Sequence, residues 1–163
     1  MEKLTWQVVG LTDKGLVRSD NQDNFSVSSD SRVFVVADGM GGTAGGALAS
    51  KLAVEEMEIC RKEKAPDLSD HESVHKWLVD SIARANKKVK ENAEKSKESS
   101  KMGTTIVAAV QSDDDTLHIA HVGDSRAYLV RDDSGKLLTL DHSVVMEFYR
   151  RGQITMAQVQ SSP

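Results

Sequence analysis

The sequence predicts an α+β protein whose strands pair mostly in the antiparallel sense. Apolar segments typical of strands come first, two amphipathic helical segments follow, and a second group of short strands joined by tight turns comes after them. The connections within this second group are too short for the crossovers that parallel strands require. At 163 residues the chain has the length of one domain, and we expect a single domain over residues 1–163.

Seven segments have the apolar pattern of strands. The predicted strands cover residues 5–10, 24–29, 32–37, 104–111, 116–122, 125–131 and 136–140. Residues 113–115 and 132–135 are rich in Asp, lie between predicted strands and indicate turns. We expect these turns to join neighbouring strands into hairpins.

Two long helices separate the two groups of strands. The first is predicted over residues 45–62, where apolar side chains recur at helical spacing. The second begins near Ser69 or Asp70, either of which can cap its first turn. The polar run over residues 87–101 is predicted to be the fraying end of this helix and an exposed loop. A short final helix is predicted over residues 143–151.

The composition argues against several classes of partner. With a net charge of −4 and 4% aromatic residues, the chain lacks the cationic and stacking side chains of nucleic-acid binders. No apolar run reaches the roughly 18 residues of a membrane span, and the first residues lack the pattern of a signal peptide. The single cysteine, Cys60, permits no internal disulfide and is expected to be a buried helix residue. We therefore expect a cytoplasmic protein without nucleic-acid or membrane partners.

A glycine-rich stretch after one predicted strand allows a dinucleotide-binding interpretation. Gly39, Gly41 and Ala44 match the pattern G-x-G-x-x-A between a strand and a helix. However, Asp38 would place a carboxylate beside the pyrophosphate, and the later helices do not alternate with strands. The sequence therefore disfavours this interpretation.

A second motif, HESVH at residues 71–75, allows a zinc-peptidase interpretation. Its spacing places His71 and His75 on one helical face, with Glu72 as the general base. The motif lies in the first turn of a polar helix, and no third ligand has a recognisable context downstream. We expect solvated helix residues here, whereas a zinc peptidase would hold its zinc tightly and lose it in the variant His75→Ala.

Acidic residues recur where predicted strands end or turn. The segments concerned are RSDNQDN at residues 18–24, DGMGG at 38–42, MGTT at 102–105, VGDSR at 122–126 and DHS at 141–143. Side chains at the ends of different strands can converge on one rim of a sheet. Because clustered carboxylates without matching cations repel one another, such a rim indicates bound divalent metal.

In this order and spacing, the five segments resemble the metal-dependent protein phosphatase 2C family in its short bacterial form. The resemblance implies the PPM-type phosphatase fold, a sandwich of two antiparallel β-sheets flanked by helices. It also implies two Mn²⁺ or Mg²⁺ ions, with a third and weaker one in bacterial relatives. The activity implied is hydrolysis of phosphoserine and phosphothreonine by metal-activated water, with phosphorylated proteins as partners in signal transduction.

The resemblance also implies roles for five residues. Asp38 matches the carboxylate that bridges the two ions, and Gly39 matches the residue whose carbonyl binds one of them. Asp23 matches an acidic residue of the metal site that acts through water, and Asp124 matches a ligand of the third ion. Arg18 matches the arginine that binds the substrate phosphate, so Arg18 and Asp38 would be the catalytic residues.

The chain departs from the family at three places, one of which is Met40, where some relatives carry a histidine as a candidate general acid. Gln22 stands where some relatives carry a glutamate of the metal site, and two further family aspartates, in DG and DN segments beyond residues 141–143, have no counterpart. We therefore expect a C-terminally truncated domain with weakened metal binding, little or no turnover, and self-association through exposed sheet edges. A noncatalytic module that binds phosphoproteins or another partner is the alternative.

Overall fold

A computed structural model of the chain describes residues 6–95 and 101–161. Its strands and helices are, in chain order, β1 (Asp23–Val27), β2 (Val33–Met40), α1 (Gly42–Glu63), α2 (His71–Lys95), β3 (Gly103–Thr104), β4 (Ile106–Gln111), β5 (Leu117–Val122), β6 (Tyr128–Arg131), β7 (Ser134–Leu137), α3 (Val144–Arg150) and α4 (Met156–Gln160). No helix among these residues is long and apolar enough to cross a membrane.

The strands form two antiparallel sheets, which confirms the predicted α+β class. In the larger sheet the order is β1-β2-β4-β5, and the short strand β3 pairs with the end of β2. The smaller sheet is the hairpin of β6 and β7. Its turn uses Asp132 and Asp133, whose positive φ angles of 48° and 61° are those of the tight hairpin turns expected from an Asp-rich connection.

The core lies between the larger sheet and the two long helices. Side chains of β2 alternate between buried and exposed, so that Val33, Val35 and Ala37 face the helices. Met57 of α1 and Leu78 of α2 are among the largest fully buried side chains of this core. Cys60 is buried in the same cluster, as predicted. The sheet and helices thus hold β2 firmly at the centre of the molecule.

The opposite face of the sheet is more open. Phe25 and Val27 of β1 and Val36 of β2 are exposed on this face, together with the carboxylates of Asp23 and Asp38. The end of β2 therefore presents polar groups beside an apolar surface. Self-association through this surface stays a prediction.

Several predicted boundaries are wrong. The predicted strand 5–10 begins at a residue outside the described part of the chain, and residues 6–10 form no strand with the described residues. Residues 8–12 line a groove with β1 and β2 instead. The predicted strand 104–111 divides at Thr105 into β3 and β4. The predicted strand 125–131 begins only at Tyr128, since the Ala127 amide donates to the Thr139 hydroxyl instead of to a strand partner.

The helices differ from their predictions at their ends. Helix α1 begins at Gly42, three residues before the predicted start, and α2 continues to Lys95 within the run predicted to fray. Residues 96–100 of that run lie outside the described residues. The predicted final helix is confirmed as α3, which Ser143 caps by accepting a hydrogen bond from the Met146 amide.

Candidate functional site

Two aspartates face each other across the first two strands. The register of the antiparallel pair places Asp23 of β1 directly opposite Asp38 of β2. Partial removal from water raises the pKa of Asp38, and the negative charge of Asp23 and a hydrogen bond with its carboxyl raise that pKa further. The folded chain therefore holds two like charges at one point of the sheet, which favours a bound proton or a cation there.

Two further predicted site residues act on Asp38 from loops. The charge of Asp124, in the loop between β5 and β6, raises the pKa of Asp38, whereas the charge of Arg18, in the segment before β1, lowers it. Arg18, Asp23, Asp38 and Gly39 all line one small, mostly polar cavity of about 220 Å³. Asp124 does not line this cavity. The structure thus brings four of the five predicted residues to one cavity and leaves the fifth nearby.

The backbone of Asp38 is held by two threonines that sequence reasoning left without a site role. The Asp38 amide donates to Oγ1 of Thr105 at 3.0 Å, and the Asp38 carbonyl accepts from the Thr105 amide at 2.9 Å. The hydroxyl of Thr104 donates to the same carbonyl at 2.9 Å. These three hydrogen bonds fix the position of the Asp38 backbone and thereby the position from which its carboxylate extends. The TT pair of the MGTT segment was the only sequence signal for this contact.

Gly39 is required by the close approach of helix α1. A Cβ atom at Gly39 would lie 2.0 Å from the carbonyl oxygen of Gly46 and 2.8 Å from that of Gln22. The Gly39 amide also donates to the Gln22 carbonyl at 3.1 Å. The absence of a side chain therefore lets the strand, the helix and the segment before β1 meet at one point.

Gln22 contacts the first turns of α1. Its Nε2 donates to the Gly42 carbonyl at 3.1 Å, and its Oε1 occupies the space that a Cβ at Gly46 would need. The buried hydroxyl of Ser50 donates to the Gln22 backbone carbonyl at 2.6 Å. Ser50, which sequence reasoning missed, therefore fixes the chain immediately before Asp23.

The donor set at this position is suited to a hard divalent cation. Asp23 and Asp38 supply adjacent carboxylates, and Mg²⁺-like ions in proteins are commonly held by one or two carboxylates with water completing the coordination. Within residues 6–95 and 101–161, no three His, Cys, Asp or Glu side chains are grouped so that they could hold one ion. The described residues thus present a carboxylate pair rather than a closed cage.

The two other sequence motifs lie in different surroundings. His71 is exposed, and its Nε2 lies 3.0 Å from Oδ2 of Asp114 at the turn between β4 and β5. His71 and His75 belong to no metal-binding group among the described residues. The glycine-rich stretch leads from β2 into α1, but β2 pairs antiparallel with every one of its neighbours, so the parallel unit of a dinucleotide-binding fold is absent from the described sheet.

Comparisons with known proteins agree with this arrangement. The family model described as Protein phosphatase 2C matches residues 12–158. The serine/threonine phosphatase stp of Listeria innocua is 38% identical over 155 residues, which are 93% of this chain and 61% of that protein.

Solved structures give the same result. The serine/threonine phosphatase of S. agalactiae has a TM-score of 0.82 and 36% identity, covering 94% of this chain and 63% of that one. The catalytic domain of the phosphatase PstP was solved in complex with two manganese ions. It has a TM-score of 0.72 and 30% identity, and the match covers 91% of this chain and 61% of the PstP chain. The predicted PPM-type fold is therefore confirmed.

These matches extend over nearly the whole chain, and the family model spans every predicted site residue. The chain spans 61% of the length of its Listeria relative. The residue pattern, the antiparallel fold and the match to the family model agree, and the chain belongs to the protein phosphatase 2C family.

Proposed function

We propose that this chain carries the phosphate-binding residue and the cation-binding carboxylates of a protein serine/threonine phosphatase. The observation that carries the proposal is the Asp23–Asp38 pair, which shares one cavity with Arg18. The Listeria relative is named a serine/threonine phosphatase, and one similar structure was solved with two manganese ions. A cytoplasmic setting belongs to the same proposal and rests on the lone, buried Cys60.

The metal ligands are assigned residue by residue. Asp38 would bridge two Mn²⁺ or Mg²⁺ ions, Gly39 would offer its carbonyl oxygen, and Asp23 would act through water. Asp124 would hold a third, weaker ion. When bound, a pair of such ions acidifies the attacking water and neutralises the charge of the phosphoryl oxygens. The raised pKa of Asp38 supports this assignment, because a cation would relieve the repulsion that raises it.

Arg18 would bind the phosphate of the substrate. Arg18 lines the cavity beside Asp38, and its positive charge lowers the pKa of that aspartate. A planar guanidinium can donate two parallel hydrogen bonds to one phosphate. Arg18 would therefore orient the phosphoryl group toward the two carboxylates.

The attacking group is assigned to water. The residues that line the cavity are Asp13, Lys14, Arg18, Asp20, Asn21, Gln22, Asp23, Asp38 and Gly39. This described lining holds no Cys, Ser or His nucleophile, and we assign its facing carboxylates, Asp23 and Asp38, to the cations rather than to attack on phosphorus. We therefore propose direct hydrolysis of phosphoserine and phosphothreonine, the substrates that the family resemblance implies.

Phosphate release from para-nitrophenyl phosphate and from a phosphothreonine peptide tests the proposal. Mn²⁺ is titrated into the purified chain, with EDTA as a control, and wild type is compared with Asp38→Asn and Arg18→Ala. Asp80→Asn is the matched control, because it also removes one carboxylate but lies on α2 in an exposed pair with Lys76. We expect slow release that requires Mn²⁺, is lost in Asp38→Asn and is retained in Asp80→Asn.

Two other outcomes would contradict the proposal in different ways. If the folded chain binds Mn²⁺ and a phosphopeptide but releases no phosphate, the noncatalytic binding module becomes the better description. If it binds neither, the assignment of Asp23, Asp38 and Arg18 is wrong.

A further inference from the structure

We propose that Asp141 and His142 are positioning residues, which hold the loop at residues 123–126 so that Asp124 keeps a fixed place relative to Asp38. The inference rests on the proposed function, because it takes Asp124 as a ligand of the weaker ion. It assigns a role to the DHS segment, which lies outside the cavity and which the proposed chemistry does not use.

The first contact is an ion pair between the loop and the DHS segment. Arg126 donates from Nε to both oxygens of Asp141, at 2.9 and 3.2 Å, and from Nη2 to Oδ2 at 2.6 Å. The Asp141 side chain is 12% exposed, whereas that of Arg126 is 48% exposed. The hydrogen bonds from Arg126 lower the pKa of Asp141, so this carboxylate is committed to the arginine rather than free to bind a cation.

The second contact fixes the backbone just before Asp124. The amide of His142 donates to the Gly123 carbonyl at 2.9 Å, and Nδ1 of His142 accepts from the Gly123 amide at 3.3 Å. One residue thus satisfies both backbone groups of Gly123, whose φ of +101° is accessible mainly to glycine. The ring of His121 packs against that of His142, with 4.7 Å between centroids.

The third contact joins the same loop to Asp38. The hydroxyls of Ser125 and Thr105 lie 2.7 Å apart, and Thr105 Oγ1 accepts from the Asp38 amide at 3.0 Å. The loop that carries Asp124 is therefore tied on one side to β2 and on the other side to the DHS segment. Hydrogen-bonded groups joined in this way strengthen one another, so we expect the loss of one contact to loosen the loop.

A fixed loop matters because Asp124 itself is exposed. A carboxylate on an untied loop must be ordered when it binds a cation, and that ordering opposes binding. Groups that orient metal ligands without touching the metal typically change metal affinity by about 10- to 100-fold when they are removed. We expect Asp141 and His142 to act in this way on the weaker ion, with little effect on the ions at Asp38.

The test uses the full chain and two measurements. Hydrogen exchange of the metal-free protein reports the order of residues 122–126, and a Mn²⁺ titration reports the affinity of the weaker ion. The variants are Asp141→Asn, His142→Leu and His142→Asn. Asn can place its Oδ1 where His has Nδ1, so His142→Asn keeps an acceptor for the Gly123 amide, and His142→Leu does not. Asp80→Asn is the control for charge removal.

We expect faster exchange in the loop and an affinity for the weaker ion lower by about 10-fold in Asp141→Asn and His142→Leu. His142→Asn should restore both values, while exchange in the core strand β4 stays unchanged in every variant. Unchanged exchange in the loop overturns the inference, and so does a loss that His142→Asn fails to restore.

Asp124→Asn separates this inference from the proposed function. If Asp124→Asn weakens the ion but Asp141→Asn and His142→Leu do not, the positioning role is wrong and the metal role of Asp124 stands. If Asp124→Asn leaves Mn²⁺ binding unchanged, the metal role of Asp124 is wrong. The proposed effect of Asp141 and His142 on the affinity for the weaker ion is then wrong as well.

Discussion

Gly39→Ala should destabilise the chain, because the added methyl group would meet backbone atoms on two sides. The new Cβ atom would lie 2.0 Å from the Gly46 carbonyl oxygen and 2.4 Å from the Gly46 carbonyl carbon. On the other side, the carbonyl oxygen of Gln22 would lie 2.8 Å from the new Cβ atom. Both neighbours are backbone atoms, so no side-chain rotation can relieve the clash.

The size of the effect follows from the displacement required. Separations below 3.0 Å are essentially never seen for a real Cβ, so the start of α1 must move away from β2 by about 1 Å. Overpacking of this kind typically costs about 1–3 kcal/mol of unfolding free energy. In a chain of 163 residues, each kcal/mol shifts the melting temperature by about 2–4 °C, which gives a loss of about 2–12 °C.

Urea denaturation and a thermal melt of the metal-free protein measure this loss. Gly135→Ala is the matched control, because a Cβ at Gly135 of β7 would have no atom within 4 Å. We expect Gly135→Ala to stay within about 0.5 kcal/mol of wild type. Equal stability of Gly39→Ala and Gly135→Ala would refute the reasoning, since it would mean that α1 does not press on β2 at this point.

Three further predictions concern charge, packing and phosphate. The pKa of Asp38 is raised in the folded chain, so folding becomes less favourable as this carboxyl ionises above pH 3.8. Asp38→Asn should therefore raise the melting temperature of the metal-free chain at neutral pH but not below pH 3.8, as measured by circular dichroism. Met57→Ala should cost about 2–5 kcal/mol in urea, whereas Met40→Ala, 68% exposed, should be nearly neutral. Arg18→Ala should weaken phosphate binding at least about 10-fold in calorimetry, by loss of a charge-assisted pair, with Mn²⁺ affinity retained.

The roles of the site residues follow from the family resemblance of five short segments, and local strand patterns explain where two of these residues lie. The alternation of β2 places Asp38 on the face opposite the buried Val35 and Ala37, and a hairpin with β1 then brings Asp23 to the same face. The turn at Asp132 follows equally from local chemistry. In each case the side-chain period or the turn residues contain the information.

The contacts that sequence reasoning missed depend on distant elements. Thr105 and Ser50 contact the site only because β4 and α1 pack beside β2. The MGTT segment indicates a strand near the site but not the hydrogen bonds of Thr105, and no motif includes Ser50. The sequence also does not show why a glycine is required at position 39, since the requirement depends on the path of α1 at Gly46. The apolar residues of segment 5–10 predicted a strand, but its described residues, from Trp6 on, form no strand, and residues 8–12 line a groove with β1 and β2.

Binding of Mn²⁺ to the purified chain, measured by isothermal titration calorimetry, tests most directly the claim that Asp23 and Asp38 form a cation site. Wild type is compared with Asp23→Asn, Asp38→Asn and the control Asp80→Asn. We predict saturable binding to wild type and to Asp80→Asn, and a loss of about 10-fold or more in affinity in the two site variants. Equal affinities in all four proteins, or no binding to folded wild type, would contradict the account.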